Sequence, residues 1–193
     1  MTEHRDTSLW ENSLLEFINR VSASSATPGG GAVAAVTATF AAALLQMVCV
    51  LSSRRKPNAG MNTIAAKVKS CGEQLAHYAD EDIRVFDQYM AAKKIRGGSA
   101  HAEVQACLLA CAAVPLAAAE LVAKLQADAA EMVPNTPEFL LSDLATARHL
   151  LHASRKALLA NVSVNLSDLE EGEAKGALVR RLEALQGEAT SAG

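Results

Sequence analysis

The sequence predicts an all-α protein, a single-domain antiparallel bundle of about six helices, and three observations predict it. No run alternates apolar and polar residues for long enough to make a half-buried strand. Apolar residues recur instead at helical spacing between breakers rich in Gly, Pro, Ser and Asn. Half of the 193 residues are hydrophobic but only 4% are aromatic, and alanine supplies much of the apolar set. That composition lets helices approach one another closely. A chain of this length buries one well-formed core and is short for two, so residues 1–193 are read as one domain.

The elements follow in order. Leu9, Leu14, Leu15, Ile18 and Val21 recur at helical spacing and predict a first helix from about Ser8 to Ser24, ended by the Ser/Ala cluster before Pro28. A second begins at Gly30 or Gly31 and runs through AVAAVTATFAAALLQMVCVL to about Ser53. That run has the length of a membrane span, but its alanine content and the polar Thr37, Thr39 and Gln46 predict a helix buried by its neighbours, with no membrane involved. RRKPNAGMN breaks the pattern, and a long third helix is expected from about Met61 to Lys94. After IRGGS a fourth covers roughly Ala100 to Met132, with Pro115 expected to kink or divide it. A fifth from about Pro137 to Asn161 and a sixth from about Asp168 to Gln186 leave GEATSAG as a frayed tail.

The formal charge of −3 and the lack of a dense Lys/Arg run argue against nucleic acid as a partner. Cys49, Cys71, Cys107 and Cys111 sit in apolar or helical stretches without a CxxC pair and read as reduced core thiols, not as disulfides or a metal site. His149 and His152 lack the context of a zinc motif. The N-terminal MTEHRDTSLWEN has no basic stretch leading into an apolar one, so the expected location is cytoplasmic.

Four motifs carry chemistry, each with a plain structural reading beside it. TPGGGAVAA places three glycines at the mouth of the second helix, where free N–H groups and the helix dipole favour an anion; tight packing of the helix entry is the equal alternative. Asp80 and Asp82 in HYADEDIRVFDQYM are two residues apart and point in different directions on a helix, and most of these acids are explained by a solvated face. Ser142 and Asp143 open a helical stretch and are explained by capping. Arg54, Arg55 and Lys56 close the second helix, where the dipole favours cations, or they clamp a carboxylate.

Taken in order, TPGGGAVAA, MVCVLSSRRK, ADEDIRVFDQYMAA, AVPLAAAELV, SDLATA and ALLANVSVNL resemble the cyclodeaminase/cyclohydrolase family over about residues 12–168. That family includes the C-terminal domain of formiminotransferase-cyclodeaminase and stand-alone methenyltetrahydrofolate cyclohydrolases. The resemblance implies a helical fold that forms a homodimer, folate bound in a cleft at or near the subunit interface, and neither metal nor cofactor. Residues 29–31 match its glycine turn, Asp80 and Asp82 its paired aspartates, Ser142–Asp143 its SD pair, and Arg54–Arg55 its basic pair. Ala32 stands where the motif has serine, and Ser52, Ser53 and Pro57 replace the threonine, glycine and aromatic around the basic pair.

The implied reaction is hydrolysis of 5,10-methenyltetrahydrofolate to 10-formyltetrahydrofolate. Formiminotetrahydrofolate cyclodeamination, with release of ammonia, is the alternative. Hydrolysis ranks first because the chain shows no formiminotransferase module to supply the formimino substrate. A non-catalytic folate-binding or dimeric helical protein is the third reading. Both reactions need one group that takes and returns a proton. Asp82 is assigned that role, with Asp80 and Asp143 as electrostatic or orienting partners. Thr27, Pro28, Gly29, Gly30 and Gly31 shape the pocket and admit folate to the helix N-terminus. Arg54, Arg55 and Lys56 hold the glutamate tail, and Ser142 completes the substrate-binding set.

Overall fold

The computed structural model describes residues 8–55, 57–95 and 100–191. A 3-10 turn at Leu9–Glu11 leads to α1 (Leu14–Val21), and α2 (Gly30–Arg55) and α3 (Ala59–Ala92) follow. Next come α4 (Ala100–Met132), two 3-10 turns at Val133–Asn135 and Glu138–Leu140, α5 (Leu141–Ser167) and α6 (Glu173–Ser191). No strand occurs among the described residues, and the all-α bundle of six helices is the architecture that the periodicity predicts.

Two boundaries moved for identifiable reasons. The expected first helix is split, because Ser13 and Glu16 form a reciprocal capping box that starts α1 at Leu14. Ahead of it, Asn12 bonds back to the carbonyls of Ser8 and Leu9 and closes a separate turn. The last two helices begin and end later than the pattern indicates, so the expected tail belongs to α6 as far as Ser191.

Helices α2, α3, α4 and α5 form a four-membered core in which α2 packs on α3 and α5, and α4 packs on the same two. Consecutive neighbours joined by short links run antiparallel. Helix α6 lies mainly against α4, where Arg181 and Glu120 pair in two-pronged fashion at 2.8 and 2.9 Å. The close approach rests on small residues. Ala34, Ala38, Ala41 and Ala42 of α2 are buried, and a Cβ at Gly72 on α3 would lie 3.3 Å from the Ala42 methyl. Leu45, Leu75, Leu116, Leu125 and Leu151 fill the space between these contacts. Truncating any one of them to alanine costs about 2–5 kcal/mol at sites of this kind.

Two helices, Gly30–Arg55 and His101–Asn135 with its turn, are long and apolar enough to cross a membrane, but half of each apolar window is buried inside the bundle. Core packing between neighbouring helices accounts for both. A smaller apolar cluster of Leu9, Ala35, Val36 and Ala79, flanked by Phe17 and Ile83, seats the N-terminal segment over the start of α2.

Helix α4 is not divided at Pro115. Proline removes the N–H that would bond the carbonyl of Cys111, four residues back. The Asn165 amide of α5 donates to that carbonyl at 2.7 Å, so the defect is repaired from a neighbouring helix. The repair also fixes Asn165 at the edge of the cleft described next.

Candidate active site

The cleft lies at the N-terminal end of α2, has a volume of about 370 Å³, and is walled by α2, α3, α4 and α5. Its floor explains the glycine run. The Asp82 carboxylate of α3 lies so close to Gly31 that a Cβ there would sit 2.2 Å from Oδ1 and 2.7 Å from Oδ2. Only glycine leaves room for it. The Ala32 N–H, one of the donors that the first turn of α2 cannot use internally, donates to this carboxylate. Asp82 thus caps α2 from another helix, as a side chain at its own N-cap would.

Burial pushes the Asp82 carboxyl up to about 6, against the downward pull of the Ala32 N–H. It therefore exchanges a proton near neutral pH, the requirement for a general acid/base. Cys111, also in the wall, donates to the Val85 carbonyl, and burial pushes its thiol up to about 12, so it stands as a neutral apolar neighbour.

Around the carboxyl stand Phe86 and the paired amides Asn161 and Asn165, one helical turn apart on α5. Asn161 donates to its own helix at Ala157, and Asn165 to Cys111. Among the described residues no donor meets either amide oxygen, so both can accept from a ligand. Thr27 donates to Asp87 at 2.9 Å and pins the loop before α2 to α3. Pro28, joined to Thr27 by a cis peptide, is buried beneath the cleft.

Of the residues singled out in the sequence, Asp82, Thr27 and Gly29–Gly31 come together here. Asp80 does not. Its carboxylate accepts from the Ser8 hydroxyl at 2.6 Å and the Leu9 N–H at 2.7 Å, and so anchors the N-terminal turn. Two residues of helical separation turn it away from Asp82. Arg54 and Arg55 end α2, about 36 Å from Gly31 at about 1.5 Å per residue. Ser142 and Asp143 open α5 at that same far end, about 27 Å from Asn161 by the same rise. Lys56 lies outside the described residues.

Phe86, Asn161 and Asn165 escaped the sequence reading. The signal for the asparagines was present: two poor helix formers four residues apart in an apolar helix, where only a shared task justifies them.

The fold and the site define a class: a helical bundle that holds a proton-exchanging carboxyl at a helix N-terminus, in a cleft with one aromatic ring and two amides. Residues 13–184 match the family model for formiminotransferase-cyclodeaminase. The chain is 31% identical to the formimidoyltransferase-cyclodeaminases of Sus scrofa and Mus musculus over 94% of its own length, and it spans 36% of theirs. It is 27% identical to the methenyltetrahydrofolate cyclohydrolase of Methylorubrum extorquens, covering 90% of this chain and 88% of that one. The crystal structure of formiminotetrahydrofolate cyclodeaminase from Thermotoga maritima superposes with a TM-score of 0.86 at 26% identity, over 94% of this chain and 92% of that one. The chain belongs to the formiminotransferase-cyclodeaminase family, a family of folate one-carbon enzymes, as its ordered motifs led us to expect.

Proposed function

We propose that the chain hydrolyses 5,10-methenyltetrahydrofolate to 10-formyltetrahydrofolate, with Asp82 as the acid/base group. The observation that carries this reading is the half-buried Asp82 carboxyl, packed against Gly31 in the cleft and pushed up to about 6 by burial. The likeness to a cyclohydrolase over 88% of that protein supports it.

The substrate carries a cation delocalised over N5, the bridging carbon and N10. Ionised Asp82 stabilises that cation and takes a proton from the attacking water as oxygen bonds to the bridging carbon. It then returns the proton to N5 as the C–N5 bond breaks, the new hydroxyl loses its proton to solvent, and the formyl group stays on N10. Water is the only co-reactant. Phe86 offers a face for the flat heterocycle, and the oxygens of Asn161 and Asn165 accept from its N–H groups.

Cyclodeamination is the second reading, favoured by the match to the Thermotoga maritima enzyme. There N10 attacks the formimino carbon, ammonia leaves after protonation, and the same carboxyl manages the proton. The decisive assay follows methenyltetrahydrofolate absorbance, corrected for spontaneous hydrolysis, beside ammonia release from formiminotetrahydrofolate. Turnover in the first, cut about 100-fold or more by Asp82→Asn, is the expected result. Turnover only in the second selects cyclodeamination, and an unimpaired Asp82→Asn removes Asp82 from the chemistry.

The working assembly is proposed to be a homodimer through the outward face of α2, acting in the cytoplasm. One folate in the Asp82 cleft does not reach Arg54 and Arg55 of its own protomer. A second copy is needed to bring those cations near it.

A further inference from the structure

Two stretches of the sequence, AVPLAAAELV on α4 and ALLANVSVNL on α5, meet at one hydrogen bond beside the cleft. Pro115 lies in the interior of α4, is buried, and does not line the cleft. Proline is the costliest residue a helix interior can hold, and a single replacement hydrogen bond returns less than it takes away. Helix stability alone therefore favours another residue at position 115.

The bond that Pro115 makes possible has a direction. With no N–H at position 115, the Cys111 carbonyl is open to a donor from α5, and the Asn165 side chain supplies one at 2.7 Å. A carbonyl only accepts, so the amide nitrogen of Asn165 must face α4 and its oxygen must face the other way. Asn165 is half-buried in the wall of the cleft, and no donor among the described residues meets that oxygen. One turn earlier, Asn161 spends an amide proton on the Ala157 carbonyl of its own helix, and its oxygen is left open as well. Its amide packs on the mouth of α2, where a Cβ at Gly30 would lie 3.4 Å from the nitrogen. The hydroxyl and thiol protons of the lining are spent within the protein, that of Thr27 on Asp87 and that of Cys111 on the Val85 carbonyl. What Asp82, Asn161 and Asn165 offer together is chiefly acceptors.

We propose that Pro115 is a positioning and specificity-determining residue: it holds the Asn165 amide with its oxygen toward the cleft, and the site thereby selects heterocycles that present N–H donors to that wall. Alanine at position 115 restores the missing N–H, closes the Cys111 bond within α4, and frees the Asn165 amide to turn over and offer its NH2 instead. The ligand class, the N–H-bearing ring of a reduced folate, rests on the function proposed above. The orienting of Asn165 by Pro115 does not.

Two readouts on the full chain test this. The first needs no ligand: the side-chain amide signals of Asn165 by nitrogen–proton NMR, assigned by their loss in Asn165→Leu. One of its protons is expected to exchange slowly with solvent in the wild type, and its protection to fall about tenfold in Pro115→Ala, as loss of one such bond gives. The second is kinetic, with whichever folate turns over. Pro115→Ala is expected to raise KM about three- to tenfold, the equivalent of one neutral hydrogen bond, with kcat within about twofold, because the ring is held alike in ground and transition states. Its Tm is expected to equal or exceed that of the wild type, whereas a merely structural proline lowers Tm on removal and leaves KM alone. Adding Asn165→Leu to Pro115→Ala is expected to change KM little further, since the oriented oxygen is already lost. Unchanged amide protection in Pro115→Ala, or protection lost with KM unmoved, overturns the proposal. Failure of the functional reading looks different: the amide response is intact and the wild type turns over neither folate, which keeps the orienting of Asn165 and removes the folate ring as its ligand.

Discussion

At the residue scale, the pair Gly31 and Asp82 carries the site, and each tests the other. Alanine in place of a helical glycine ordinarily stabilises by about 1 kcal/mol. At Gly31 the added Cβ meets the Asp82 carboxylate at 2.2 Å, so Gly31→Ala is expected to cost about 1–3 kcal/mol and to remove most turnover. A more stable, fully active variant in urea titration and assay refutes the contact. Asp82 itself opposes stability, because its folded value of about 6 lies above the ordinary 3.8. The native state then holds its proton more tightly than the unfolded chain does. The contribution of Asp82 is therefore most favourable below about pH 4, is lost between there and about pH 6, and is level above. Asp82→Asn keeps an acceptor for the Ala32 N–H and never charges, so it is expected to gain about 1–2 kcal/mol above pH 6, read as a rise in Tm, while losing activity. For the wild type, kcat/KM is expected to rise with pH through about 6 and then level if the ionised Asp82 carboxyl is the base, as proposed. A profile flat from pH 5 to 8 assigns the titration elsewhere.

At the scale of elements, periodicity located the helices well and the site only in part. The glycine run marked a helix mouth with an approaching anion, and the group packed at Gly31 is the Asp82 carboxylate of the chain itself. Spacing could not reveal that, because the contact joins two helices whose relative rotation the local sequence fixes loosely. The same limit hid the different fates of Asp80 and Asp82, one turned to the N-terminal segment and the other to the cleft. Pro115 shows how a breaker is absorbed: the expected division of α4 is absent because Asn165 takes over the orphaned Cys111 carbonyl. A double-mutant cycle measures this. Asn165→Leu is expected to cost about 1–2 kcal/mol in the wild-type background, by leaving a buried carbonyl unpaired. In the Pro115→Ala background the restored N–H serves that carbonyl, so the same substitution is expected to cost less, with coupling of about 1 kcal/mol by urea denaturation. Strict additivity removes the link.

At the scale of the whole molecule, the outward line of α2 is what remains unexplained by one copy of the chain. Val36, Phe40, Ala43, Met47 and Val50 follow one another at three- and four-residue spacing on that helix. Val36 is covered by the N-terminal cluster, yet Phe40, Met47 and Val50 are 45%, 37% and 41% exposed. The apolar residues of α1, Leu14, Leu15, Ile18 and Val21, are exposed as well. The proposed homodimer would cover this line with a second copy, and charge is distributed along α2 in a way that suits it. Asp82 and Asp87 lie near its glycine end, while Arg54 and Arg55 stand at the other. Pairing across a two-fold axis perpendicular to the helix, centred near Ala43, sets basic end against acidic end, whereas parallel pairing sets like against like. The antiparallel arrangement also lays Arg54 and Arg55 of each copy beside the Asp82 cleft of the other. Ala43→Arg puts two like charges close together at the axis and is expected to turn a dimer into a folded monomer by sedimentation equilibrium. Shared sites make a second demand. A mixture of Asp82→Asn with the double variant Arg54→Glu, Arg55→Glu contains heterodimers in which one cleft keeps both its carboxyl and its cations. Turnover in the mixture is expected to exceed that of either variant alone at low substrate. A wild type that sediments as a monomer, or a mixture no faster than its components, rules out this assembly.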